Sequence, residues 1–119
     1  MEDFVTYDLA IKLKDKGFNW ICSHYYRTKC KDLFMVFPSE DWSNAEERIN
    51  APTISQVLKW LREEKRLHIA IDVWSKTWGY DIIKLTSGNS LRWTAYREDI
   101  KSYEDAALDG IEYVIDNLI

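Results

Sequence analysis

Four side chains of this sequence have the chemistry of a metal site. Cys22 and His24 are two residues apart, so on a strand they point to one face; Cys30 lies across a proposed hairpin from them, and His68 offers an imidazole from another strand. The spacing argues against zinc. Paired ligands of a zinc knuckle sit on tight turns, whereas Cys30 lies at a basic tip between Lys29 and Lys31, away from the level of Cys22. The plainer reading is a small buried Cys22 and a surface His24, and no metal or other cofactor is expected. Acid–base or nucleophilic chemistry lacks a motif as well. Neither histidine has a nucleophile beside it, and the paired acids Glu40-Asp41, Glu46-Glu47 and Glu98-Asp99 are sequence neighbours in loops or helix ends, where solvation is the usual role. The glycines Gly17, Gly79, Gly88 and Gly110 are too scattered for a phosphate-binding loop. The sequence reads as a non-enzyme.

Binding chemistry is better represented. Glu104, Asp105, Asp109, Glu112 and Asp116 follow one another along the last predicted helix with no Lys or Arg between Ser102 and Ile119. Acids repeated at i,i+4 repel one another, and Asp116 sits at the helix end where the dipole disfavours negative charge. Solvation is one role for such a face; docking to a basic protein surface, or to a second copy in a homodimer, is the functional one. Trp74 and Trp78 are the expected aromatic anchors of a protein interface, Trp74 on a strand and Trp78 in a turn. The alternative is nucleic acid, held by Arg27, Lys29 and Lys31 on a hairpin tip and by Lys59, Arg62, Lys65 and Arg66 along and just beyond a helix, with Tyr25, Tyr26, Trp74, Trp78 and Trp93 available to stack bases. Glu63 and Glu64 interleave with those helix cations, and Lys59 pairs with Glu63 at i,i+4, so a solvated helix face accounts for the same residues.

The elements that must carry these residues are legible from periodicity and punctuation. A first helix starts near Asp3 or Thr6, runs through YDLAIKLKDK and stops at Gly17. NWICSHYY and DLFMVF, separated by the basic RTKCK, predict a β-hairpin. The polar PSEDWSNAEERIN after it predicts an irregular stretch, with one helical turn over Ser43–Glu46. A second helix opens at Thr53, with Gln56 closing a capping box, and places Ile54, Val57, Leu58 and Leu61 in one stripe with Trp60 at its flank. LHIAIDVW alternates with period two: Leu67, Ile69, Ile71 and Val73 face the core, and His68, Ala70, Asp72 and Trp74 face away. Short turns at SKTWG and TSGNS then predict a meander through YDIIKL and LRWTAY, and Ser102 with Asp105 caps a last helix. The order α-β-β-α-β-β-β-α predicts a two-layer α+β domain over residues 1–119, with one antiparallel sheet of about five strands and helices on one face.

APTISQVLKWLREEKRLHIAI, YDLAIKLKDKGF and SYEDAALDGIEYVIDNLI resemble a group of small uncharacterised proteins of phages and prophages of gut Bacteroides-type bacteria. The resemblance covers both ends and the middle of the chain, and departs from the group at Thr28–Asn50 and around Trp78. It implies an accessory protein of a mobile element and brings no site residues with it.

Composition bounds these readings. The chain has 119 residues, 46% hydrophobic and 30% charged, as a soluble globular domain should. A formal charge of -4 opposes non-specific attachment to a phosphate backbone. Two cysteines agree with a reducing compartment, and MEDFVTYD lacks the pattern of a signal peptide, so a cytoplasmic location is expected, in the bacterial host if a phage encodes the protein. No membrane association is expected. Six Trp and seven Tyr exceed what so small a core needs, which points some rings at the surface. The function expected is macromolecule binding by an accessory protein.

Overall fold

A computed structural model describes residues 3–35, 48–94 and 99–119. The chain divides into two compact units, Met1–Thr53 and Ile54–Ile119.

In the first unit, helix α1 (Tyr7–Asp15) begins where the Thr6 hydroxyl accepts the Leu9 N–H at 3.2 Å. It ends at Gly17, which takes φ 90°, and Phe18 N–H then reaches back to the Leu13 carbonyl at 3.0 Å. Only glycine adopts that left-handed stop without strain. The helix buries Leu9, Ala10 and Leu13. Strand β1 (His24–Arg27) is central, with β2 (Leu33–Met35) on one side and β3 (Arg48–Asn50) on the other, both antiparallel. The predicted hairpin is β1–β2, pairing Tyr25 with Phe34. Tyr26 opposes Leu33 and Ile49. Its hydroxyl donates to the Val5 carbonyl at 2.6 Å and the Tyr7 ring meets it edge-on, which ties this sheet to the start of the chain.

In the second unit, α2 (Ile54–Glu64) buries Ile54, Val57, Leu58, Trp60 and Leu61, so Trp60 is core rather than a flank. Strands β4 (Leu67–Trp74), β5 (Thr77–Lys84) and β6 (Ser90–Trp93) form the predicted meander in the order β4-β5-β6. Ser75 and Lys76 make the first turn, both at positive φ, 49° and 69°. Such a two-residue turn matches the right-handed twist of the strands and normally uses Asn-Gly, so Ser75-Lys76 adopts it under strain. Helix α3 (Tyr103–Asn117) starts at Ser102, whose hydroxyl accepts the Asp105 N–H at 3.0 Å. It lies so close to the sheet that a Cβ on Gly110 would stand 3.0 Å from Ile69 Cγ2 and 3.4 Å from Tyr80 Cδ2.

The α+β class stands, but the single sheet of about five strands does not. The described residues form three helices and two separate three-stranded antiparallel sheets, in the order α-β-β-β-α-β-β-β-α. The added strand is β3, which falls at the end of the stretch expected to be irregular. By pairing with the second edge of β1 it completes a local three-stranded sheet in the order β2-β1-β3, and the later meander forms a sheet of its own. The helices do not share one sheet face either: α1 packs with β3, while α2 and α3 pack with β4. The expected turn over Ser43–Glu46 lies outside the described residues.

Candidate protein-docking face

Register assigns the two faces of the β4–β5–β6 sheet. Ile69 opposes Ile82 and Ile71 opposes Tyr80; Ile69, Ile82 and Tyr80 are buried on the side where α3 packs. On the other face Ala70 opposes Asp81, which opposes Trp93 on β6; Asp72 opposes Gly79; and Trp74 opposes Thr77. No side chain among Ala70, Asp72, Trp74, Thr77, Asp81 and Trp93 is buried. Trp74 and Trp93 are 67% and 65% exposed.

The pairing places these two indoles at opposite corners of a shallow patch. They are two strands apart and offset by four residues along the strand, about 17 Å between their Cα atoms for a spacing of ~4.8 Å and a rise of ~3.4 Å. Gly79 lies at the centre of the patch and exposes no side chain, while Asp72 and Asp81 border it. Each acid is held in place: Asp72 accepts the Val73 N–H at 2.8 Å, and Asp81 accepts the Ser90 hydroxyl. Thr77 fixes the end of β4 by donating its hydroxyl to the Trp74 carbonyl at 2.7 Å.

Trp78 is not in the turn where the sequence placed it. It lies within β5 opposite Val73, half-buried, with its ring 6.1 Å from that of Tyr103 and edge-on to it. Side chains alternate along a strand, so Trp78 points to the side opposite Thr77, and Trp74 and Trp78 do not share a patch. Trp93, read in the sequence only as a surface for stacking bases, takes its place beside Trp74. At the far end of β4, Val73 is 46% exposed although it was expected in the core, because the last residues of that strand run beyond the buried layer.

The α3 acids divide. Asp105, Glu112 and Asp116 are exposed, but Asp109 is half-buried and accepts the Tyr80 hydroxyl at 2.6 Å. Tyr80 in turn accepts from Arg92 Nε at 3.4 Å, and the Arg92 guanidinium lies 4.1 Å from the Tyr113 ring centre. Burial and then Asp109 push the Tyr80 phenol above its ordinary range, with Arg92 opposing them.

The basic residues occur in both units. Arg27 pairs with Arg48 across β1 and β3, and Lys29 and Lys31 are exposed on the same hairpin. Arg27 covers the Phe34 ring at 4.8 Å and Lys31 lies 5.4 Å from the Tyr7 ring. In the second unit Lys59 is exposed, Arg62 is half-buried and Lys65 lies 5.4 Å from the Trp60 ring; Lys65 and Arg66 join Lys84 around a cavity of about 370 Å³. The rings expected to stack bases are mostly committed elsewhere: Tyr25 is 2% exposed, Tyr26 is tied to Val5, and Trp78 packs on Tyr103.

For metal chemistry, Cys22 is buried and its thiol donates to the Trp20 carbonyl at 3.4 Å, while His24 Nδ1 bonds the Ser23 hydroxyl at 2.8 Å. Cys30 is exposed, and His68 Nδ1 is covered without a hydrogen bond to the described residues. The described residues bring together no group of three His, Cys, Asp or Glu side chains able to hold a metal, and none of their helices is long and apolar enough to cross a membrane. Comparison with protein-family models, with curated proteins and with solved structures finds no match.

Proposed function

We propose that this protein is a non-enzymatic binding module that docks a protein partner on the Trp74–Trp93 face of its second sheet. One observation carries the reading: two largely exposed indoles on the sheet face away from α3, with the carboxylates of Asp72 and Asp81 on the same face. An indole offers a large contact area at low entropy cost, and two of them beside acids suit a basic segment whose arginines stack on a ring while pairing with a carboxylate. The spacing of about 17 Å matches about five residues of extended chain. The resemblance to phage and prophage proteins makes an accessory role in a bacterial cytoplasm the setting of this proposal.

The test is affinity capture from infected or lysogenic cells with the wild type and with Trp74→Ser/Trp93→Ser. The wild type should retain a defined protein that the double variant loses, with equal melting temperatures for the two baits. Equal capture by both would defeat the reading, and a captured second copy of this chain would make the face a homodimer contact.

The gathering of Arg27, Arg48, Lys29 and Lys31 on the first sheet favours a second reading, nucleic-acid binding. Anisotropy with single- and double-stranded oligonucleotides at about 150 mM salt, where screening is strong, separates the two. Sub-micromolar binding abolished by Lys29→Glu/Lys31→Glu would establish the second.

A further inference from the structure

A cavity of about 490 Å³ opens in the first unit among α1, the segment leading into β1, and β3. Its apolar wall is Ala10, Phe18, Trp20 and Ile21, and the two charged groups among its described lining residues, Lys14 and Arg48, are both cations. Ile21 is 93% exposed, an unusual position for a large aliphatic side chain on a wall otherwise anchored to the fold. The anchoring is visible: Phe18 is buried, and Asn50 Nδ2 donates to the Trp20 carbonyl at 3.3 Å. The Arg48 guanidinium is positioned 4.5 Å from the Tyr25 ring centre. The volume falls within the roughly 300–1,000 Å³ of small-molecule sites, which are mostly apolar with a few placed polar groups.

We infer that this cavity binds a free aliphatic carboxylate, its chain against Phe18, Trp20 and Ile21 and its anionic head with Lys14 and Arg48. The charge of the described lining residues selects an anion, and the apolar wall selects one with a hydrocarbon body. Two side-chain cations, one of them a guanidinium able to hold both oxygens of a carboxylate, suit such a head group. Capture is non-covalent, because the Cys22 thiol at the wall is buried and protonated at neutral pH.

Isothermal titration with decanoate, decanol and decylammonium tests this. Decanoate should bind with a Kd at or below about 100 μM, decanol more weakly and decylammonium least. Lys14 and Ile21 are exposed, so Lys14→Glu and Ile21→Ser leave the fold intact. Lys14→Glu should weaken decanoate about three- to tenfold, as expected for losing one exposed ionic contact and gaining a repulsion, and Ile21→Ser should weaken it about fivefold. Trp74→Ser/Trp93→Ser should bind decanoate like the wild type, which keeps this result separate from that of the sheet face. No heat with decanoate up to about 1 mM, decanol binding as tightly as decanoate, or wild-type affinity in both cavity variants would overturn the inference.

Discussion

Gly110→Ala is the sharpest probe of how α3 is seated. A helical Gly→Ala change on a free surface stabilises by about 1 kcal/mol, because alanine restricts the unfolded chain and glycine does not. At position 110 the added methyl would stand 3.0 Å from Ile69 Cγ2 and 3.4 Å from both Ile69 Cδ1 and Tyr80 Cδ2. Cγ2 branches directly from Cβ, so it moves only if the whole side chain leaves its rotamer or the strand shifts. Ile69 and Tyr80 are buried, and overpacking such a site costs roughly 1–3 kcal/mol. The repulsion should exceed the propensity gain, leaving a net loss of about 1 kcal/mol and a fall in Tm of roughly 3–6 °C. The same change in an Ile69→Ala background, where the obstructing methyl is gone, should be stabilising by up to about 1 kcal/mol. Guanidinium unfolding of the four proteins in this cycle measures both signs. A Gly110→Ala protein more stable than the wild type, or a loss of the same size in both backgrounds, would refute the close approach of α3 to the sheet.

Other residues give independent checks. Burial pushes the Cys22 thiol up to about 11 while Cys30 is exposed, so at pH 8 a thiol reagent should label one of the two cysteines quickly in the native protein and both in denaturant; two equally fast thiols would contradict this packing. Because the Tyr80 phenol is raised in the folded protein, the unfolded chain loses that proton first and stability should fall as pH rises past about 10. Urea midpoints between about pH 8 and 11 should show a shallower fall in Tyr80→Phe, with Tyr26, also raised by burial, supplying part of what remains; an unchanged slope would count against the Tyr80–Asp109 contact. Ser102→Ala removes the acceptor for the Asp105 N–H and should lower stability by about 1 kcal/mol in the same unfolding assay.

The parts of this fold that could be read in advance are those fixed by local chemistry. Thr6 and Ser102 cap the helices they were expected to cap, Gly17 stops α1, and the period-two pattern of LHIAIDVW is β4. Strand β3 was not legible because Arg48–Asn50 holds one apolar residue, which is too short for any alternation to show, and its pairing to β1 is non-local. Trp78 was misplaced for a related reason. SKTWG reads as a loose turn, but Ser75 and Lys76 alone make it, and that shift of boundary moves Trp78 into β5 and onto the other side of the sheet from Trp74. Of the candidate face, Trp74 was read from alternation, whereas the partnership with Trp93 depends on the β5–β6 register and on a bulge between Ile82 and Ile83 that no sequence pattern announces. The acids of α3 showed their spacing but not that the Tyr80 hydroxyl would donate to Asp109.

The central claim is that a protein partner contacts the indole face of β4–β6, and photo-crosslinking in cells tests it most directly. A benzophenone amino acid in place of Trp93 keeps a large aromatic at the exposed corner of the patch, and the same group in place of Glu112 reports from the exposed side of α3. Irradiation should give an adduct of one defined mass from position 93 and none from position 112. Adducts from position 112 alone would move docking to the acidic helix, and no adduct from position 93 in cells where the wild-type bait retains its partner would contradict the account.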